Sequence, residues 1–197
     1  MSDTYIYSMD GAYYINLTNA CNNDCTFCLR NEHCGVGGYD LKLARDPEAE
    51  DIIAELEKLP DVQSAVFCGL GEPTMRLEVL LEVGRYLKQR GVHVRLNTNG
   101  LGSEFAGEDI SPRLKGLVDV VSISLNASNA AEYDRICRSA YGEAAYELML
   151  DFARRCAQQG IETVLSVVDI IGSDEIEKCR AIAQGVGARL RVRSYIE

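Results

Sequence analysis

Strand-like and helix-like patterns alternate along the chain, and this alternation restricts the possible folds more than any other feature. Most segments between the strand patterns carry apolar residues at helical spacing. Six short runs are mostly rich in β-branched or aromatic residues, as strands are, and they lie near residues 12–18, 62–68, 92–98, 119–125, 161–168 and 188–193. Because strand, helix and strand in succession give a parallel sheet with right-handed crossovers, we predict an α/β protein.

Two architectures suit such a sheet: an open sheet with helices on both faces, and a curled sheet equal to three quarters of an eight-stranded barrel. The run VDVVSISLN distinguishes them. Apolar and polar residues alternate along it, in the order Val121, Ser122, Ile123, Ser124, Leu125 and Asn126. An open sheet would bury the polar members unpaired, whereas the mouth of a barrel can use them to hold a ligand. We therefore predict a (β/α)6 partial TIM barrel, a single domain over residues 1–197.

The composition limits the partners of such a domain. The chain has 197 residues, is 47% hydrophobic and 25% charged, and has a net charge of −10. A negative protein repels a phosphate backbone, so nucleic acid is a disfavoured partner. No apolar run approaches the roughly 18 residues that span a membrane. The N-terminal MSDTYIYSMDG has neither the basic nor the apolar region of an export signal, so we expect a cytoplasmic protein with no membrane partner.

Three of the eight cysteines form a compact group. Cys21, Cys25 and Cys28 lie in CNNDCTFC, directly after the first strand pattern. A structural zinc site normally has four ligands in two separated pairs, and no second CxxC follows. Three thiolates on one loop suit three irons of a 4Fe-4S cluster, which leaves the fourth iron open to a non-protein ligand. A zinc site completed by Cys34 or His33 and a non-catalytic electron-transfer cluster are the alternatives.

The cysteine motif resembles that of a known superfamily. CNNDCTFC matches the CxxxCxxC motif of radical S-adenosylmethionine (radical SAM) enzymes, including the aromatic Phe27 before the last cysteine. GLGEPT at residues 69–74 resembles their GGE motif, with Leu70 in place of the second glycine, and NTNG at 97–100 resembles their TNG turn. All three motifs follow predicted strands. The order of strands and helices resembles the family's partial barrel, and the short chain is most similar to the small TatD-associated radical SAM family.

The resemblance implies roles for individual residues. It implies that Cys21, Cys25 and Cys28 bind three irons and that S-adenosylmethionine chelates the fourth. The other cofactor contacts that we expect lie at the barrel mouth: Phe27 near the adenine, the backbone of Gly69, Leu70, Gly71 and Glu72 near the methionyl amino group, and Asn97, Ser124, Asn126 and Ser166 near the carboxylate and ribose. No residue is identified as the catalytic group that acts on the substrate.

Arginines and further cysteines lie outside these motifs. Arg191 and Arg193, near the end of the chain, could meet the cofactor carboxylate, but we expect them to pair with carboxylates on the solvent side. A free cysteine in a core behaves as a small hydrophobic residue. We expect that role for Cys137, Cys156 and Cys179, and we favour it for Cys68, for which an active-site role such as hydrogen-atom donor is the alternative because it directly precedes GLGE.

Together these features predict an enzyme that cleaves S-adenosylmethionine reductively to methionine and a 5′-deoxyadenosyl radical, which abstracts a hydrogen atom from a substrate. We expect a low-potential electron donor of the flavodoxin or ferredoxin type as a partner. Only four residues follow the last strand pattern, so we expect the substrate itself, a peptide or protein, to complete the open side of the barrel. A small metabolite enclosed by residues 100–118 is the alternative.

Overall fold

A computed structural model describes residues 3–31 and 34–194. Its strands are β1 (Ile6–Met9), β2 (Ala12–Ile15), β3 (Gly35–Val36), β4 (Tyr39–Asp40), β5 (Ser64–Phe67), β6 (His93–Thr98), β7 (Val120–Ser124), β8 (Glu162–Val168) and β9 (Arg189–Arg193). A seven-stranded sheet has the order β1-β2-β5-β6-β7-β8-β9, and β3 and β4 form a separate ribbon. The strands of the large sheet therefore lie side by side in the order in which they occur along the chain.

Six of the seven strands run parallel, from β2 through β5, β6, β7 and β8 to β9, as the alternation predicts. The sequence patterns did not predict β1, which pairs antiparallel with β2. Asp10 and Gly11 connect β1 to β2, and both have positive φ, 51° and 77°. Two such residues form the tight turn typical of a β-hairpin. The N-terminal hairpin thus adds an edge strand to the predicted sheet.

The described residues contain seven α-helices. They are α1 (Ala49–Leu56), α2 (Leu77–Gln89), α3 (Gly102–Ala106), α4 (Ser111–Leu114), α5 (Ala130–Cys137), α6 (Ala144–Gln158) and α7 (Ser173–Gly185). Local capping fixes some of their starts: the Asn129 side chain accepts from Glu132 N at 2.9 Å at the start of α5. No helix among these is both long and apolar enough to cross a bilayer.

The main core lies between the helices and one face of the sheet. Phe67, Leu96, Ile123 and Leu165, from four adjacent strands, are fully buried there. Because side chains alternate along a strand, the residues between them face the other side of the sheet. On β7 these are Ser122 and Ser124, so the prediction of one apolar and one polar face is confirmed for the strand itself. The predicted partial-barrel architecture is also confirmed.

The connection between β6 and β7 is not a loose lid. Residues 100–118 form α3 and α4, and Leu101, Ile110 and Leu114 are fully buried in the main core. Moving this segment over a ligand would expose all three side chains to water. The connection that we considered as a cover for a small metabolite is therefore anchored to the core.

A polar cluster joins the start of β6 to the segment before β7. Asp119 N donates to Val94 O at 2.8 Å, and Asp119 Oδ2 accepts from Val94 N at 2.7 Å. Lys88 Nζ donates to both Asp119 oxygens, at 2.8 and 2.7 Å. Burial alone would raise the pKa of Asp119, but the hydrogen bonds from Lys88 and Val94 hold it below its usual value. The ionised carboxylate thus stabilises the pairing of these strands.

Replacing Asp119 by Asn should lower the free energy of unfolding by about 1 kcal/mol at pH 7, a figure discounted for the partial exposure of the carboxylate. The folded-state pKa lies below the unfolded value of about 4, so this stabilisation is present above pH 4 and is lost as the pH falls through the folded-state pKa. Urea denaturation at pH 7 and in steps below pH 4 measures the difference, which should shrink on acidification.

The matched control is Asp151→Asn, because Asp151 forms an exposed pair with Arg154 and should contribute little. A difference between wild type and Asp119→Asn that is the same at every pH would contradict the role of the charge.

Candidate active site

The three sequence motifs meet at one end of the sheet. The cysteine segment follows β2, GLGE follows β5 and the TNG turn follows β6, and these three strands are neighbours. The C-terminal ends of parallel strands share one edge, where barrel enzymes carry their sites. Gly71 N donates to Thr18 O at 2.9 Å, and Glu72 N donates to Ala20 O at 2.8 Å. GLGE is thereby bonded directly to the segment that leads into Cys21.

The cysteine loop is held against the end of α5. Asp24 N donates to Cys137 O at 3.1 Å, and Thr26 N donates to Ile136 O at 2.9 Å. Asn23 Nδ2 also donates to the Tyr133 hydroxyl at 3.3 Å. These bonds fix the path of a loop that has little regular structure of its own.

Several N–H groups point at the sulfur atoms of the loop. Cys21 Sγ accepts from Asn23 N at 3.4 Å and lies 3.8 Å from the donor Asn99 Nδ2. Cys28 Sγ accepts from Arg30 Nε at 3.3 Å, and Arg30 Nη2 donates to Asn23 O at 2.5 Å. Donors of this kind stabilise thiolates that carry negative charge in an iron-sulfur cluster. The donor set around the three cysteines fits such a cluster.

The surroundings of two of the loop thiols favour their protonated form. Burial, reinforced by the charge of Glu72, raises the pKa of Cys21 to about 11. A hydrogen bond with the thiol of Cys137, together with burial, raises the pKa of Cys25. Metal ligands must be deprotonated, so loading with iron releases protons from these thiols.

A preformed metal site is not seen among the described residues. Within residues 3–31 and 34–194, no group of three His, Cys, Asp or Glu side chains is placed to hold a metal ion. The Cys34 thiol instead lies 3.7 Å from Arg30 O, and His33 lies outside the described residues. Three thiolates that bind three different irons need not converge on a single point.

The glycines of GLGE allow two strand ends to approach closely. A Cβ atom on Gly69 would collide with the Asn16 side chain, and one on Gly71 would collide with Ala20 O. The protein's own packing therefore requires both glycines, a reason different from the predicted approach of a cofactor. The Leu70 side chain is buried in a small apolar cluster away from the main core, so only its backbone is available for the predicted contact.

Glu72 connects GLGE to the TNG turn through its side chain. Its Oε1 accepts from Thr74 N at 3.1 Å and from the Thr74 and Thr98 hydroxyls at 2.7 Å each. Its Oε2 accepts from Asn99 N at 2.7 Å. Burial raises the pKa of Glu72, although these donors oppose the rise. The sequence motif indicated only a backbone role, whereas the carboxylate positions Asn99, whose amide reaches Cys21.

A polar cavity of about 190 Å³ lies on the face of the sheet opposite the helices. Five residues that we predicted to contact the cofactor line it: Gly71, Glu72, Asn97, Ser124 and Ser166. The Ser166 hydroxyl also donates to Ile123 O at 3.4 Å. This serine therefore both lines the cavity and has a backbone hydrogen-bond partner. The structure thus brings residues from β5, β6, β7 and β8 together around one cavity.

Asn126 does not share that cavity, and its predicted common face with Ser124 is wrong. β7 ends at Ser124, and Asn126 has a φ of 56°, in the left-handed region that Asn tolerates. Its Nδ2 therefore lies 3.4 Å from Cys137 Sγ. Asn126 and Phe27 line a second cavity of about 670 Å³. The predicted contact residues thus divide between two cavities.

Two arginines depart from their predicted environment. Arg191 and Arg193 line the polar cavity, whereas we expected them to pair with carboxylates at the solvent side. On the same strand it is Arg189 that forms such a pair, with Glu162. The alternation along β9 turns all three arginines to one face, and the period of two in RLRVR was the sequence signal for it.

Comparison with known proteins identifies the family. The family model described as the radical SAM superfamily matches residues 15–182. A protein of Saccharolobus solfataricus named "probable GTP 3′,8-cyclase" is 31% identical over 180 residues, which make up 88% of this chain and 53% of that protein. The chain therefore spans about half the length of this relative.

Solved structures share the fold. Streptococcus suis SuiB bound to its precursor peptide SuiA superimposes with a TM-score of 0.72 at 16% identity, over 93% of this chain and 39% of that one. SuiB bound to S-adenosylmethionine gives a TM-score of 0.70 at 16% identity, over 93% and 40% of the two chains. With a family match over most of its length and three motifs at the ends of adjacent strands, the chain belongs to the radical SAM superfamily, whose enzymes use a 4Fe-4S cluster and S-adenosylmethionine.

Proposed function

We propose that residues 1–197 form one radical SAM core domain in which Cys21, Cys25 and Cys28 bind three irons of a 4Fe-4S cluster. The observation that carries this proposal is the set of N–H groups directed at the sulfurs of Cys21 and Cys28 beside a polar cavity. When bound, the cluster and S-adenosylmethionine supply a 5′-deoxyadenosyl radical for hydrogen abstraction. A low-potential flavodoxin or ferredoxin is the proposed electron donor.

The chain's own residues bind and orient the cofactor. Asn97, Ser124 and Ser166 offer an amide and two hydroxyls to the polar parts of S-adenosylmethionine at the polar cavity. Phe27, with Asn126 beside it, offers an aromatic face to the adenine from the second cavity. The backbone of residues 69–72 lies next to the cysteine loop, where the methionyl amino group is to be held. These assignments rest on placement in the fold together with the family resemblance.

We propose a peptide or protein as the substrate. The likeness in fold to SuiB, which was solved with its precursor peptide SuiA, supports this choice. The anchoring of residues 100–118 in the core also disfavours the alternative in which this connection encloses a small metabolite. A small substrate is the second candidate, because the relative from S. solfataricus is named for the cyclisation of GTP. Within the superfamily, sequence resemblance alone supports assignment to the small TatD-associated group.

The experiment that tests the function is anaerobic reconstitution with iron and sulfide, followed by addition of dithionite and S-adenosylmethionine. The expected product is 5′-deoxyadenosine, above the level formed by a Cys25→Ala control. A stable cluster that forms no product would instead identify an electron-transfer module, and stoichiometric zinc without brown colour would identify a zinc protein.

Replacement of any one of Cys21, Cys25 or Cys28 by Ala should remove nearly all 4Fe-4S absorption after reconstitution, because three protein ligands leave no redundancy. Visible absorption and iron content per chain are the measurements. The controls are Cys156→Ala and Cys179→Ala, which alter buried thiols of α6 and α7 and should keep the cluster. Loss of the cluster in Cys34→Ala would show that the three-ligand account is wrong.

Glu72→Gln should weaken S-adenosylmethionine binding by about tenfold while the cluster still assembles. The amide cannot accept from Thr98, Thr74 and Asn99 together, so the TNG turn should shift, and loss of one charge-assisted hydrogen bond corresponds to about that factor. Titration with S-adenosylmethionine, followed by the EPR signal of the reduced cluster, measures the affinity.

Glu78→Gln is the matched control, because Glu78 is an exposed carboxylate bonded to Arg113. Unchanged affinity in Glu72→Gln would remove this carboxylate from the positioning of the site. Loss of the cluster itself would show that Glu72 supports the cysteine loop rather than the cofactor.

A further inference from the structure

The last strand of the sheet directs two arginines into the barrel. Arg191 and Arg193 alternate with Leu190 and Val192 along β9. Both arginines line the polar cavity, whereas Leu190 packs against the main core on the helix side. Arg191 is paired across the sheet with Ser166, one of the hydroxyl residues of the same cavity. Arg193 is half-buried and faces the space in which the reaction is proposed to occur, whereas Arg191, which lines the same cavity, is exposed.

These two cations have no counter-ion within residues 3–31 and 34–194. No ion pair in that part of the chain includes Arg191 or Arg193. Arg193 Nε is buried without a hydrogen-bond partner. Burial lowers the pKa of Arg193 most, the Cys68 thiol opposes this decrease, and the nearby Arg191 adds to it. The net decrease agrees with a guanidinium that has no carboxylate partner in the described part of the chain.

Glu72 does not supply the missing compensation. It is the acidic residue of the cavity, but its oxygens already accept bonds from Thr74, Thr98 and Asn99. A desolvated cation with no partner is destabilising. A cavity that keeps such a cation is suited to an anion that binds from outside the chain.

We propose that Arg193, with Arg191 beside it on β9, binds an anionic group of the substrate, a carboxylate or a phosphate, at the β9 end of the polar cavity. This inference rests on the proposed function, because it places the substrate in the cavity that also receives the polar groups of the cofactor. Guanidinium groups bind both carboxylates and phosphates through paired hydrogen bonds. In a peptide substrate the group is an Asp or Glu side chain or the C-terminal carboxylate.

The carboxylate of S-adenosylmethionine is the competing occupant. The cysteine loop extends from β2, whereas β9 forms the far edge of the sheet in strand order. The guanidinium bonded to the loop is that of Arg30, which leaves the β9 arginines directed at the cavity. Gly71 and Glu72 line the cavity from the side of the cysteine loop, whereas Arg191 and Arg193 line it from β9, so the β9 end is the part left for the substrate.

Calorimetric titration of the anaerobic, reconstituted protein with pyrophosphate and with succinate tests the proposal. Saturable binding of at least one probe is expected, and the tighter probe distinguishes a phosphate from a carboxylate site. Arg191→Gln and Arg193→Gln should each weaken that binding by about tenfold, the loss expected for one charge-assisted contact. Arg193→Lys keeps the positive charge, so it should bind the probe more tightly than Arg193→Gln. The matched control is Arg189→Gln on the same strand, whose arginine is already paired with Glu162, and it should bind like wild type.

Three outcomes would overturn the proposal. They are no saturable binding of either probe to wild type, equal weakening in Arg189→Gln, and displacement of the probe by S-adenosylmethionine, which would assign the arginines to the cofactor carboxylate. Thermal unfolding excludes misfolding as the cause, since removal of an uncompensated cation should not lower Tm. Wild type that binds neither probe but forms 5′-deoxyadenosine would contradict only this inference, whereas probe binding without 5′-deoxyadenosine would contradict only the proposed function.

Discussion

The carboxylate of Glu72 is the interaction on which the candidate site depends. The backbone N–H of Glu72 donates to the carbonyl oxygen of Ala20, one residue before Cys21. The Glu72 side chain accepts from the Thr98 hydroxyl and from Asn99 N, where β6 ends and the turn after it begins. A buried carboxylate is tolerated only where donors satisfy it, and this one has its donors in two different motifs. Glu72 therefore holds the GLGE backbone against the segment that leads into the cysteine loop, and it also directs the Asn99 amide toward Cys21.

The distribution of polar residues over the sheet explains why a cavity exists at this point. The helices cover one face, where Ile123 and Leu165 are fully buried, and the opposite face carries the hydroxyl residues Ser124 and Ser166. Apolar burial on the helix side involves the larger cluster, and a smaller apolar cluster that includes Tyr14, Val66 and Leu70 covers another part of the opposite face. The polar face is thus available for ligands, and the arginines of β9 extend it to the edge of the sheet.

The parts of the fold that local patterns encode were predictable from the sequence. Strand and helix periodicity gave the six parallel strands, and the spacing of three cysteines gave the cluster motif. The edge strand β1 was also encoded, because Asp10–Gly11 between runs of Tyr and Ile is a hairpin signal. The strand patterns described above begin at residue 12, so the predicted sheet lacks β1.

Other features depend on contacts between distant segments, which periodicity cannot specify. The bond from Asn99 to Cys21 joins residues 78 positions apart, and the left-handed conformation of Asn126 ends the alternation that VSISLN suggests. The interior position of Arg193 follows from the alternation of β9, but its lack of a counter-ion in the described part of the chain depends on which residues the curled sheet brings together.

The central claim is that three cysteines leave one iron of the cluster open to S-adenosylmethionine. Electron–nuclear double resonance of the reduced, reconstituted protein tests it most directly, with S-adenosylmethionine labelled by 15N in its amino group and by 17O in its carboxylate. The account predicts hyperfine coupling of the cluster to both labels. An intact 4Fe-4S cluster that shows coupling to neither label, at saturating S-adenosylmethionine, would contradict it.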